Sequence, residues 1–262
     1  MKVLITGASG GIGYEVTKYL ANKGIDIIAC DVKSAIFPDN VTYYPLDITK
    51  IDDIEKLSND LTNSNVTLDA IINVAGIFAI DSYIEVPNDV LDKIFAVNLF
   101  GVINVNKILH KNLSQNGRII ITTSEVAPLD PMPFNGIYNT TKTALDCYSQ
   151  ALRQELNLIG QKVITIRPGA FNTNLQQGAL VYTKKLSDNT VLYKKQSSKF
   201  YNIVKKFMGT PQDPKKIAPI YYKATTAKHP KTIYKKHTNP LLKLLNVFPK
   251  KLQCFIVKTI LK

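Results

Sequence analysis

The run Thr6-Gly7-Ala8-Ser9-Gly10-Gly11-Ile12-Gly13 constrains this chain more than any other stretch. It follows an apolar segment, Lys2-Val3-Leu4-Ile5-Thr6, that reads as a buried strand. It leads into a helical pattern from about Ile12 to Lys23 that Gly24 stops. In the spacing T-G-x-x-x-G-x-G, Gly7 permits a tight turn, Gly11 lets backbone approach a bound group, and Gly13 lets the helix pack on the strand. A helix opening there offers free N–H groups and a positive dipole end to a pyrophosphate. Alone, such a pattern is often only a turn. Between a strand and a helix it indicates a dinucleotide site, to which Ser9 and Ile12 also belong.

The rest of the first two-thirds repeats the alternation. Apolar runs at Ile25–Cys30, Val41–Leu46, Leu68–Asn73, Arg118–Thr123 and Lys162–Arg167 read as strands. Helical stretches lie between them at about Asp52–Asn63, Asn88–Asn112 and Tyr138–Leu158. Continuous apolar strands alternating with helices indicate βαβ units and a parallel sheet covered on both faces. In such sheets ligands bind beyond the C-terminal strand ends, where Gly7, Asp31, Asp47, Asn73, Ser124 and Pro168 all fall.

Asp31 ends the second strand. A carboxylate there can accept from both ribose hydroxyls and would repel a 2′-phosphate, which favours NAD over NADP. Lys33 is the one basic residue nearby, and the plainer reading of Asp31 is a capping carboxylate. Tyr138 and Lys142 stand four residues apart, so they share a helix face. A tyrosine with its pKa near 10 is a poor base at neutrality, and an ammonium one turn away is expected to lower it. Tyr138 would then exchange a proton with an alcohol or carbonyl oxygen that Ser124 orients. By itself, Tyr138 would pass for an ordinary helix-face aromatic.

Taken together, Thr6-Gly7-x3-Gly11-x-Gly13, Asn73-Val-Ala75-Gly76, Asn98, Ser124, Tyr138-x3-Lys142 and Pro168-Gly169 resemble the short-chain dehydrogenases/reductases. The resemblance covers residues 2–175 well and the rest more loosely. It implies an α/β, doubly wound, Rossmann-type three-layer fold with a seven-stranded parallel sheet, in one NAD(P)-binding domain over residues 1–262. It also implies a catalytic set of Asn98, Ser124, Tyr138 and Lys142, with Lys142 on the nicotinamide ribose and Asn98 holding a water in a proton relay. By the same likeness Asp47 and Ile48 contact adenine, Asn73, Ala75, Gly76 and Tyr138 also belong to the cofactor site, and Pro168, Gly169 and Thr173 line the nicotinamide and its phosphate. Two departures stand out: Val74 replaces a second asparagine before Ala75-Gly76, and the stretch from Pro128 to Pro133 is proline-rich, as if shaping one pocket wall.

The implied activity is NAD-dependent hydride transfer to or from an apolar secondary alcohol or ketone. Other readings are an NAD-sensing regulatory protein on the same fold, and a membrane-surface lipid-binding module. The segment from about 172 to 213 mixes Tyr, Phe and Lys with loop residues and reads as an excursion over the substrate. Pro214–Ala227 reads as helix and Thr232–Tyr234 as a last strand.

Charge separates the two parts. Residues 1–175 carry 14 Lys and Arg against 18 Asp and Glu, whereas residues 176–262 carry 19 Lys against Asp188 and Asp213 alone. Such asymmetry suggests an anionic partner or a solvated lysine-rich surface. Within the tail, about 239–262, Lys251, Lys258 and Lys262 fall on one side of a helix, with Leu252, Ile256, Val257, Ile260 and Leu261 opposite. That pattern suits an anionic membrane surface, or a helix folded onto the core or onto a second subunit. Nucleic acid is not expected, since no Arg follows Arg167. Homo-oligomers are common in the family, and the sequence leaves the interface open. The three scattered cysteines form no disulfide or zinc pattern and suggest a cytoplasmic setting. His110, His229 and His237 show no metal-ligand spacing and read as surface residues. No signal peptide and no apolar run of bilayer length is read.

Overall fold

The computed structural model describes residues 1–207 and 211–262. Seven parallel strands form one sheet: β1 (Lys2–Thr6), β2 (Asp26–Asp31), β3 (Val41–Pro45), β4 (Leu68–Asn73), β5 (Leu113–Thr122), β6 (Lys162–Pro168) and β7 (Ile233–Lys236). Their spatial order is β3-β2-β1-β4-β5-β6-β7, so the chain reverses direction of growth between β1 and β4. That reversal opens a crevice at the C-terminal strand ends, where an open α/β sheet binds its ligands. The expected α/β sheet is present.

Successive strand residues point to opposite faces, and both faces are apolar. Val3, Ile5, Ile27 and Ile72 pack beneath α1 (Gly11–Ala21) and α8 (Ala218–Thr226). Leu4, Ile28, Ile71 and Ile119 face the other layer. That layer holds α2 (Ile51–Asn63), α3 (Asn88–Phe95), α4 (Val102–Leu109) and α5 (Gly136–Asn157). This two-sided burial is why the strands read as unbroken apolar runs.

The structure differs from the sequence reading in several places. The stretch Asn88–Asn112 is not one α-helix: a π-helical segment, Ala96–Gly101, separates α3 from α4, and Asn98 lies inside it. Strand β5 begins at Leu113, before the expected Arg118, and its register against β4 shifts between Leu68 and Ala70. The excursion forms two helices, α6 (Asn174–Asn189) and α7 (Lys194–Phe207); its residues 208–210 lie outside the described residues. The last layer helix starts as a 3-10 turn capped by Asp213, whose carboxylate accepts from the Lys215 N–H.

The tail forms α9 (Pro240–Leu245) and α10 (Lys250–Leu261). Helix α10 folds back on the body through Val257 and Leu261, which join a cluster with Ile80, Ala179, Leu186 and Phe200. Leu252 and Ile260, on the same apolar side of the helix in the sequence reading, are exposed. No helix among the described residues is long and apolar enough to cross a membrane.

Tyr221 shows how α8 is fixed to the sheet. It is fully buried, and its hydroxyl shares a 2.8 Å hydrogen bond with Thr122 Oγ1 at the end of β5. Tyr221→Phe would leave that hydroxyl partner unsatisfied, and the expected loss is about 1–3 kcal/mol in urea unfolding.

Candidate functional site

The turn after β1 is held by its neighbours on both sides. Gly7 has φ +68, and a Cβ there would lie 2.6 Å from the backbone of Ala75. A Cβ on Gly13 would overlap the Gly7 carbonyl oxygen. The Ala8 N–H donates to the Cys30 carbonyl at 3.2 Å, and the Val74 N–H donates to the Thr6 carbonyl at 3.2 Å. The head of α1 therefore faces the crevice with its backbone donors. Ser9 Oγ is buried there with no hydrogen-bond partner in the protein, an orphaned donor of the kind a phosphate oxygen satisfies. Thr173 lies across the turn, its methyl 2.9 Å from where a Gly11 Cβ would be.

Asp31 stands at the end of β2. Its carboxylate accepts from the Ser9 N–H at 3.0 Å and from the Lys33 N–H at 3.2 Å, one bond on each oxygen. A carboxylate has about four acceptor positions, so it can still receive ribose hydroxyls. Asp47 accepts from the Thr49 N–H and hydroxyl at 3.0 and 2.7 Å, which turns the chain so that Asp47 and Ile48 face the same crevice. These residues fit the adenosine end of a dinucleotide.

A cavity of about 1560 Å³ runs from this end along the strand tips. Gly7, Gly11, Ile12, Asp31, Asp47 and Ile48 line one end. Ala75, Gly76, Ser124, Tyr138, Lys142, Pro168, Gly169 and Thr173 line its middle. Ile80, Met132, Ala179, Phe200, Ile203 and Leu242 line the far end, so the proline-rich stretch supplies part of a wall through Met132. The space exceeds what a drug-sized ligand needs and can take two molecules end to end.

Gly13, Asn73 and Asn98 do not line the cavity and support it from behind; Ser9 also lies outside the lining, next to the lining Gly10, with its Oγ unpartnered. The Asn73 amide donates to Asn106 Oδ1 at 2.8 Å, while its own Oδ1 is buried without a partner. Asn98 is fully buried in the π-helical segment. Its Oδ1 accepts from the Ile77 N–H at 2.8 Å, and its Nδ2 donates to the Ile77 carbonyl and to Thr141 Oγ1.

Helix α5 brings Tyr138 and Lys142 onto one buried face, opposite Ser124 just past β5. Lys142 Nζ donates to the Thr122 carbonyl at 3.3 Å and lies 5.8 Å from the centroid of the Tyr138 ring. The Phe78 ring meets that of Tyr138 edge-on at 4.7 Å. The electrostatics reverse the sequence expectation. Burial pushes the Tyr138 hydroxyl up to about 12, with a Ser124 hydrogen bond pulling it down and the Glu125 charge pushing it up. Burial also lowers Lys142 to about 8. Without a ligand, the desolvation of both groups outweighs the attraction of ammonium for phenolate.

Two groups at the site escaped the sequence reading. Glu125 follows Ser124 and lines the cavity, with a carboxylate that burial raises above its usual range. It accepts from the Asn239 N–H at 2.5 Å and so ties the start of the tail to the loop after Ser124. His237 is exposed, as expected, but at φ +55 it lines the cavity mouth and stacks edge-on with Phe171. Nothing in their sequence spacing marks either residue. Among the described residues no cluster of metal-ligating side chains is present.

The buried ammonium has a thermodynamic signature. Because its folded pKa is depressed, the unfolded chain binds more protons than the folded one between roughly pH 8 and 10, and stability rises with pH across that window. Below it the full cost is present, on the order of 3 kcal/mol. Lys142→Met is therefore expected to unfold at higher urea than the parent at about pH 7, and the gap should narrow by about pH 9.5.

Comparisons with known proteins agree with this geometry. The short chain dehydrogenase family profile matches residues 1–180. The chain is 30% identical over 185 residues to "Probable oxidoreductase EphD" of Mycobacterium tuberculosis, which covers 66% of this chain and 31% of that protein. It is 31% identical over 182 residues to the NADPH-dependent 1-acyldihydroxyacetone phosphate reductase of Saccharomyces cerevisiae, covering 66% of this chain and 61% of that one. It thus spans about a third of the first relative and three-fifths of the second. Among solved structures, a short chain dehydrogenase family protein from Francisella tularensis superposes with a TM-score of 0.74 at 24% identity, over 89% of this chain and 96% of that one. The strand order, the glycine turn and the match over most of the sheet make this chain a member of the short chain dehydrogenase family of oxidoreductases.

Proposed function

We propose that the chain is an NAD(H)-dependent oxidoreductase that interconverts an apolar secondary alcohol and its ketone. One observation carries this reading: Ser124, Tyr138 and Lys142 converge on the middle of a cavity that has the glycine turn at one end and an apolar wall at the other. A bound nicotinamide would supply or accept the hydride; the chain's own residues manage the proton and the orientation.

Near neutrality the Tyr138 phenol is protonated, which suits donation to the oxygen of a carbonyl under reduction. Ser124, hydrogen-bonded to Tyr138, would hold that oxygen. The Lys142 ammonium lies close by and favours the phenolate left after transfer. In the oxidation direction Tyr138 would take the proton instead. Asn98 would serve the relay from its place against Gly76, whose Cβ position lies 3.3 Å from Asn98 Oδ1 and 3.4 Å from Lys142 Nζ. Its side chain is committed to Ile77 and Thr141, so a relay water would be held by the backbone of the π-helical segment.

The Asp31 carboxylate at the adenosine end supports NAD as the cofactor. The yeast relative is named for NADPH, so this preference is the part most worth measuring. The far wall, with Ile80, Phe200 and Leu242, supports an apolar substrate, and the acyl group in the yeast relative's name is compatible with one.

Titration with NADH and NADPH is expected to show NADH binding at least about tenfold tighter, a gap that Asp31→Asn narrows. In a screen of apolar alcohols and ketones, Tyr138→Phe should lower kcat roughly 10²–10⁴-fold and leave the NADH Kd unchanged. Binding without turnover of any compound would favour the cofactor-sensing reading.

A further inference from the structure

The outer side of α10 mixes lysine with apolar side chains. Lys251, Lys258 and Lys262 are exposed, Phe255 beside them is 65% exposed, and Leu252 and Ile260 further round the helix are 41% and 54% exposed. The helix spends Val257 and Leu261 on the body, so these apolar groups are not needed for its docking. The patch continues past the end of α10. Lys258 and Lys262 share a cavity of about 510 Å³ with Tyr83 and Ile84, and Ile84 is 74% exposed. Glu85 accepts from the Val191 and Leu192 N–H groups at 2.7 and 2.9 Å, which sets two further exposed apolar residues beside Ile84. A cationic surface studded with large aliphatic and aromatic groups is neither a solvated lysine face nor a polyanion groove.

We propose that this face docks on an anionic lipid bilayer, with α10 lying in the headgroup plane. Charge decides between the candidate occupants. A second copy joined through a two-fold interface would set one lysine-rich patch against another, since such an interface uses the same patch on both subunits. The carboxylate within the patch, Glu85, is already bonded to Thr190 and to the Val191 and Leu192 N–H groups, and those after residue 175 are Asp188, paired with Lys184, and Asp213, which caps its own turn. A bilayer surface supplies negative headgroups at the depth of the ammonium groups and hydrocarbon for Phe255, Leu252 and Ile84. At 12 residues, α10 is about 18 Å long and needs no spanning length to act this way.

The position of the face matters for access. The cluster that receives Val257 and Leu261 contains Ile80, Ala179 and Phe200, which also line the far end of the large cavity. One layer of side chains thus separates the docking helix from the apolar end of the site. This inference stands on the surface itself and does not require the enzymatic reading.

The chain has no tryptophan, so Phe255→Trp places a single reporter on the face. With vesicles of phosphatidylcholine containing about 30% phosphatidylserine, its emission should shift to the blue and the protein should co-sediment; pure phosphatidylcholine should give far less of either. Adding Lys251→Gln and Lys258→Gln to that reporter should weaken binding about 30-fold, and roughly 0.5 M salt should act in the same direction. Leu158→Trp, at an exposed position after α5, should show no shift. Failure to bind phosphatidylserine vesicles, or binding unchanged by the lysine substitutions, would overturn the proposal. So would a concentration-dependent blue shift without lipid, which would assign the face to a second copy.

Discussion

The turn between β1 and α1 works as a keystone. It is packed so closely that hydrogen is the only side chain tolerated at Gly7 and Gly13, and its backbone is bonded to the ends of β2 and β4. That closeness brings the head of α1 to the crevice and sets where a phosphate can sit. It also aligns the tips of three neighbouring strands, because β1 pairs with β2 on one side and β4 on the other. Asp31, Asn73, Ala75 and Gly76 take their places from that alignment. Ser124 just past β5, with Tyr138 and Lys142 on α5, is then one strand further along the same row of tips.

The fold was legible because burial on both faces leaves a plain trace: apolar runs such as Val3-Leu4-Ile5 and Ile71-Ile72 have no alternative to a central parallel strand. The cofactor end was legible for a related reason, since glycine spacing records steric limits directly. Other parts left no such trace. The π-helical break at Ala96–Gly101 packs against α5 and holds the buried Asn98, and no proline in the sequence marks where it begins. Helices α6 and α7 pack largely on each other and on α10, so their apolar positions are spread thinly and read as loop. Glu125 stands next to Ser124, but its tie to Asn239 spans 114 positions, and His237 comes to the site on the same distant stretch. The sense of the Tyr138 shift was misread because residue spacing reports that two groups are close, but not that both are dry.

That dryness places stability and chemistry in opposition at α5. A lysine and a tyrosine on one buried helical face cost more than apolar residues of the same size would. The protein meets the cost with the Thr122 carbonyl, Ser124 and a surrounding layer of apolar contacts. Groups held this way cannot relax into solvent, so a ligand oxygen entering the cavity meets donors that are already oriented.

The tether from Glu125 to Asn239 has its counterpart at Asp130, whose N–H donates to Asn246 and whose carboxylate accepts from Lys250 and Gln253. The loop after Ser124 is thus stitched at two points to the last quarter of the chain. The glycine turn, Ser124, Tyr138 and Lys142 all come from the part that the family profile matches, whereas much of the roof comes from the part it does not. The last quarter is therefore held twice over: α8 and β7 root it in the sheet, and the tail beyond them is sewn to the loop after Ser124, so that a disturbance of the tail would be felt first at the rim of the crevice.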